Sequence, residues 1–122
     1  MDYRVGGLDT LRYQEEEFDA VALIYAHFSP ELKSEYHGAF RKYLKKGGTV
    51  ILELFGKNHL KYNRVDPEVG GPKDIDMLCS ADEIGTYYSG FEVAELEEKV
   101  IRLSEGPCHN GIGSVVRFTG RK

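Results

Sequence analysis

The sequence predicts an α/β fold: a mixed sheet whose first strands are parallel and whose C-terminal pair is antiparallel, with helices on its faces. Three observations carry that expectation. Residues 18–25 and 49–55 are largely apolar runs separated by a helical stretch; a glycine pair marks the return from helix to second run; and the chain after Phe91 holds two β-rich segments joined by a short connection. Strands buried in a parallel sheet read as unbroken apolar runs, whereas consecutive strands with a short link pair antiparallel.

Taken in order, Phe18-Asp19-Ala20-Val21-Ala22-Leu23-Ile24-Tyr25 is too continuously apolar for a one-sided strand and is expected to be covered on both faces. Ser29-Pro30-Glu31 opens a helix, with a hydroxyl N-cap, proline at the first helical position and an acid near the positive end of the dipole. Leu32, Tyr36, Phe40 and Tyr43 recur at helical spacing, so one stripe of residues 30–45 is expected to face the sheet. Lys45-Lys46 and then Gly47-Gly48 suit a helix C-terminus. Thr49 to Phe55 is the second buried strand, completing a βαβ unit.

Residues 56–79 carry glycines, prolines and asparagines without a sustained period, and read as a long functional loop with a rigid corner at Gly70-Gly71-Pro72. Ser80-Ala81-Asp82-Glu83 has the serine and glutamate of a capping box, opening a short helix that buries Ile84, Tyr87 and Tyr88 and stops at Gly90. Phe91 to about Leu103 reads as a long strand with a bulge in its charged stretch. Ile112 to Thr119 is the last strand, and Ser104 to Gly111 the hairpin connection.

Composition bounds the function. With 122 residues, 41% of them hydrophobic and 30% charged, residues 1–122 read as one globular domain, with 1–17 a remnant or rearranged N-terminal segment. A net charge of −4 argues against nucleic acid as partner, and the basic run Arg41-Lys42-Lys45-Lys46 reads as the solvated end of a helix. No apolar run approaches the roughly 18 residues of a membrane span and the N-terminus lacks a signal peptide's order, so a cytoplasmic location is expected. Cys79 and Cys108 read as reduced thiols without metal-ligand spacing, and no metal site is expected; the acid runs at 15–17 and 95–98 read as solvated faces.

From Phe18 to Lys122 the sequence resembles the class I S-adenosylmethionine-dependent methyltransferases. Phe18-Asp19-Ala20-Val21 is similar to that family's fourth strand, and Leu44-Lys45-Lys46-Gly47-Gly48 to the turn before its fifth, which Glu53 ends. A narrower resemblance is to small bacterial methyltransferases related to tellurite-resistance proteins. It rests on His27-Phe28-Ser29-Pro30, on Gly70-Gly71-Pro72-Lys73-Asp74 with Asp76, and on Glu105-Gly106-Pro107-Cys108-His109-Asn110-Gly111. The resemblance implies the C-terminal half of such an enzyme. The glycine-rich turn and ribose-binding acid that precede the fourth strand in the family have no counterpart, since Gly6-Gly7 follows no strand of useful length.

By that resemblance S-adenosylmethionine is the cofactor, with Asp9 beside the adenine and Tyr25, His27 and Phe28 along its methionine side. Phe55, Tyr62, Gly70, Gly71 and Pro72 would frame an unknown methyl acceptor. Catalytic roles fall to Glu53 and to His27 or His109 as general base. Three functions stay open: a methyltransferase fragment or half, a non-catalytic binding module, and an inactive self-associating remnant. Plainer roles stand beside each residue. His27 can hydrogen-bond the helix start or a backbone carbonyl, Gly70-Gly71 can serve backbone shape, His109 can cap a turn, and Tyr36, Tyr43, Tyr87 and Tyr88 can be core residues with wet hydroxyls. Glu53 must be paired, hydrated or used. Without the family's first strand, residues 18–25 would present an apolar edge and part of one sheet face would be bare. The expected partner is therefore a second copy docked at that edge, or a separate N-terminal half; alternatively, residues 1–13 fold back on it.

Overall fold

Strand β1 (Phe18–Ile24) runs parallel to β2 (Leu44–Phe55), β2 antiparallel to β4 (His109–Arg121), and β4 antiparallel to β3 (Glu92–Glu105), so the sheet order is β1-β2-β4-β3. The mixed sheet is as expected. The computed structural model describes residues 13–105 and 109–122, with Glu105 and His109 described by backbone alone. Helices α1 (Pro30–Tyr43), α2 (Leu60–Asn63) and α3 (Ala81–Tyr87) complete the regular structure.

Side chains alternate across the pleat, so Val50, Leu52 and Leu54 of β2 share a face with Val116 and Phe118 of β4 and meet Phe40, Ile84 and Tyr88 from the helical layer. Tyr88 stacks on Phe118 with ring centroids 5.2 Å apart. Each such burial contributes about 1.5–3 kcal/mol. Among the described residues the opposite face is covered only at one end, where Phe55, Leu103 and Val115 pack against Leu60 and Val69. Elsewhere on it Ala22, Ile24 and Ile51 lie open, Ile24 being 55% and Ile51 47% exposed. Coverage of the first strand on both faces is thus corrected: of β1 only Leu23 is buried, because among the described residues no layer packs on its outer side. The partly bare face was expected.

The boundaries shift for physical reasons. Helix α1 stops at Tyr43 because Leu44 is fully buried, already extended, and pairs with Phe18 as the first residue of β2. Gly47 does take a positive φ of 86°, but within β2 rather than as a helix cap. The Ser29 hydroxyl makes no capping bond; its carbonyl accepts the N–H groups of Leu32 and Lys33 instead. The buried stripe of α1 is Lys33, His37 and Phe40: Phe40 is as expected, Tyr36 is half-buried against the core, and Lys33 and His37 take the places expected of Leu32 and Tyr43. Two polar residues are tolerated there because partners are supplied. Lys33 Nζ donates to the Leu78 carbonyl and to the Glu83 carboxylate, each at 2.9 Å, and His37 Nδ1 lies 2.8 Å from the Tyr88 hydroxyl.

Residues 56–79 are not one irregular loop. They hold α2 and three 3-10 turns, Lys57–His59, Pro67–Val69 and Ile75–Met77, the last two begun by Asp66 and Asp74 side chains accepting N–H bonds two residues on. Ser80 Oγ accepts the Glu83 N–H at 3.1 Å, but the Glu83 carboxylate pairs with Lys33 and Lys57, so only half of the capping box forms. Tyr88 is buried with its hydroxyl on His37 rather than in water, and Tyr87 is half-buried. The β3 bulge lies between Val93 and Glu95, and the last two strands reach Glu105 and His109, leaving a shorter connection than Ser104 to Gly111.

Candidate functional site

The parallel strands β1 and β2 end side by side, and the open α/β sheet characteristically binds ligands beyond that edge. Tyr25, the residue after β1, holds a left-handed backbone with φ 54°. For a residue with a Cβ that conformation costs about 1–2 kcal/mol. It is held by the Tyr25 N–H donating to the Glu53 carbonyl at 2.7 Å and by the Tyr25 hydroxyl donating to Glu53 Oε2 at 2.6 Å. Register places Arg117 of β4 opposite Glu53, and its Nε donates to Glu53 Oε1 at 2.5 Å. Burial works to raise the Glu53 pKa, but the bonds from Tyr25 and Arg117 and the guanidinium charge outweigh it and hold the carboxyl below its usual range. Glu53 is therefore paired, and its weak basicity suits it to orienting a ligand rather than removing a proton.

His27 sits beside this pair. Its Nε2 accepts the Phe55 N–H at 3.0 Å and its ring stacks on Phe55, centroids 5.6 Å apart. It thus caps the end of β2. To act as a base through Nε2 it would first have to release that N–H. Phe55 is the hub of an aromatic pile, with Tyr25 stacked at 4.9 Å and His59 at 4.0 Å, and it is buried.

The Gly70-Gly71-Pro72 corner closes over the far side of that pile. His59 donates from Nε2 to the Gly70 carbonyl at 2.9 Å while Nδ1 accepts the Ser114 N–H at 3.1 Å, which fixes its tautomer. Asn63 Nδ2 donates to the carbonyls of Gly70 and Pro72. Gly71 has φ 87°, and a Cβ there would stand 2.8 Å from the Phe55 ring, so the backbone approach requires glycine.

Tyr25, His27, Glu53, Phe55 and Gly71 are therefore brought together. Phe28 is not: its ring packs edge-on against Tyr36 and beside Phe40 in the helical layer. Tyr62 is half-buried on α2, with Lys61 Nζ over its ring at 5.6 Å. Asp9 and the His109 side chain lie outside the described residues. Sequence reading missed His59 and Arg117. Arg117 was recoverable from the alternation of the last strand once its register against Glu53 was known; His59 gave no signal. Among the described residues no group of three His, Cys, Asp or Glu residues could hold a metal ion, and no helix is long and apolar enough to cross a membrane.

No described protein family and no curated protein matches the chain. Solved structures do match. A SAM-dependent methyltransferase from Methanosarcina mazei is 21% identical, superposes with a TM-score of 0.64, and is matched over 98% of this chain and 66% of that one. A Bacillus halodurans protein described as a methyltransferase is 18% identical with a TM-score of 0.64, over 99% of this chain and 77% of that one. A SAM-dependent methyltransferase from Thermotoga maritima is 19% identical with a TM-score of 0.53, over 96% and 62%. The chain has the methyltransferase-like fold and spans just under two thirds of the first of these neighbours.

Proposed function

We propose that the chain is the C-terminal, acceptor-side part of a class I S-adenosylmethionine-dependent methyltransferase related to the small bacterial group. The observation that carries this reading is the sheet order β1-β2-β4-β3, a parallel pair extended by an antiparallel hairpin, superposing on such enzymes over nearly the whole chain. Methyl transfer from a sulfonium is an in-line displacement, in which a protein contributes chiefly by alignment. Tyr25 and the ionised, doubly bonded Glu53 are positioned to orient a ligand at the strand ends.

The described residues fit the cofactor only in part. They offer Tyr25 and His27 at a strand end but no glycine-rich turn beneath a nucleotide and no further strand ending in an acid for the ribose hydroxyls. The completing half comes from a longer form of this polypeptide, a second polypeptide or a second copy, seated at Ala22, Ile24 and Ile51 and at the edge of β1, which are uncovered among the described residues. Calorimetric titration with S-adenosylhomocysteine, with the oligomeric state measured on the same sample, tests the reading. Saturable binding weakened by Glu53→Ala supports it. No heat at two temperatures in a folded sample excludes cofactor binding by this chain alone.

A further inference from the structure

Lys57, Lys61 and Arg64 follow one another at spacings of four and three residues along the helical stretch that begins at Lys57, so they lie on one face of it. Lys73, just past the Gly70-Gly71-Pro72 corner, faces them across an open cleft of about 500 Å³ completed by Asn58, Leu60, Asp74 and Ile75. That volume falls within the range of small-molecule sites. The two walls are tied together rather than hinged, because Asn63 on one wall donates to Gly70 and Pro72 on the other.

The cleft lining carries Lys57, Lys61, Arg64 and Lys73 against Asp74. Lys57 is matched by Glu83, 2.7 Å away. Among the described residues Lys61, Arg64 and Lys73 form no ion pair, and Asp74 is the lone carboxylate in the lining. Converging unpaired cations in a chain of net charge −4 repel one another until an anion arrives.

We propose that this cleft is an oxyanion-binding subsite for the phosphoryl or carboxylate end of a small-molecule methyl acceptor. The acceptor role rests on the methyltransferase reading; the anion site does not. A nucleic acid is disfavoured because the chain carries a net charge of −4, where phosphate contacts along a strand call for a basic face.

The test titrates the whole chain calorimetrically with pyrophosphate and, separately, citrate, each against sodium chloride at equal ionic strength. Saturable binding of either is expected, pyrophosphate alone marking a phosphoryl site and citrate alone a carboxylate site. The triple variant Lys61→Ala, Arg64→Ala, Lys73→Ala should bind at least about tenfold more weakly, whereas Lys61→Arg with Lys73→Arg retains binding. Circular dichroism verifies that each variant is folded. Binding of neither anion, or equal binding by the triple variant, overturns the subsite. Titrating the same samples with S-adenosylhomocysteine separates the two readings: anion binding without cofactor binding leaves the subsite and excludes cofactor binding by this chain alone, and the reverse removes only the subsite.

Discussion

His37 makes the stability of this fold sensitive to mild acid. The side chain is fully buried on α1, stacked on Tyr87 at 4.9 Å with Nδ1 at the Tyr88 hydroxyl. Burial, reinforced by the Lys33 cation and opposed by Glu83, lowers its pKa from 6.5 to about 4. The unfolded chain takes up a proton near pH 6.5 and the folded chain only near 4, so stability is full above 6.5 and falls as pH drops through that interval. At about 1.4 kcal/mol per pH unit the loss approaches about 3 kcal/mol, a large fraction of the roughly 5–15 kcal/mol that holds an ordinary domain together. Urea unfolding followed by circular dichroism from pH 7 to 4 measures it. The reference is His37→Phe with Tyr88→Phe, which removes the titrating group without orphaning the buried hydroxyl. The ionised Glu53 and Glu83 are shared by both proteins, and their losses come in the carboxylate range below. The wild type should lose about 3 kcal/mol more than the double variant. Parallel curves between pH 6.5 and 4.5 would refute the reasoning.

Glycine replacement separates two situations. Gly71→Ala should lower stability by about 2 kcal/mol or more, from a positive φ and a Cβ 2.8 Å from Phe55. Gly38→Ala, in open space on α1, should raise it by about 0.5–1 kcal/mol; the same urea melts read both. Burial raises the Cys79 thiol to about 11, so in the folded protein it should resist iodoacetamide at pH 8 and react fully in urea, as peptide mass spectrometry would show. Light scattering should find the chain associated at micromolar concentration, and Ile24→Lys on the bare face should shift it towards monomer; a wild-type monomer throughout would count against partner docking there.

The βαβ core was legible because its signals are local: apolar runs at 18–25 and 49–55, and Pro30 to start the helix between them. Coverage of β1 was not. A run of alanine, valine and leucine is compatible with either a two-sided or a bare strand, and only the absence of a packing layer distinguishes them. Lys33 and His37 misled the stripe on α1 because their partners, Leu78, Glu83 and Tyr88, lie far along the chain. Of the site, Tyr25, His27, Glu53 and the glycine corner were recognisable as types at strand ends and turns. Their couplings were not: the Glu53–Arg117 pair depends on β2–β4 register, and His59 acquires its role from the Ser114 amide in the last strand.

The most direct measurement is an amide-resolved nuclear magnetic resonance titration of the isotope-labelled chain with S-adenosylhomocysteine, which detects weak as well as tight binding. The proposed half-site predicts saturable shifts concentrated at residues 24–28 and 53–56, diminished in Glu53→Ala. Shifts confined to the opposite end of the strands, around Gly47 and Gly90, or none at all, would contradict it.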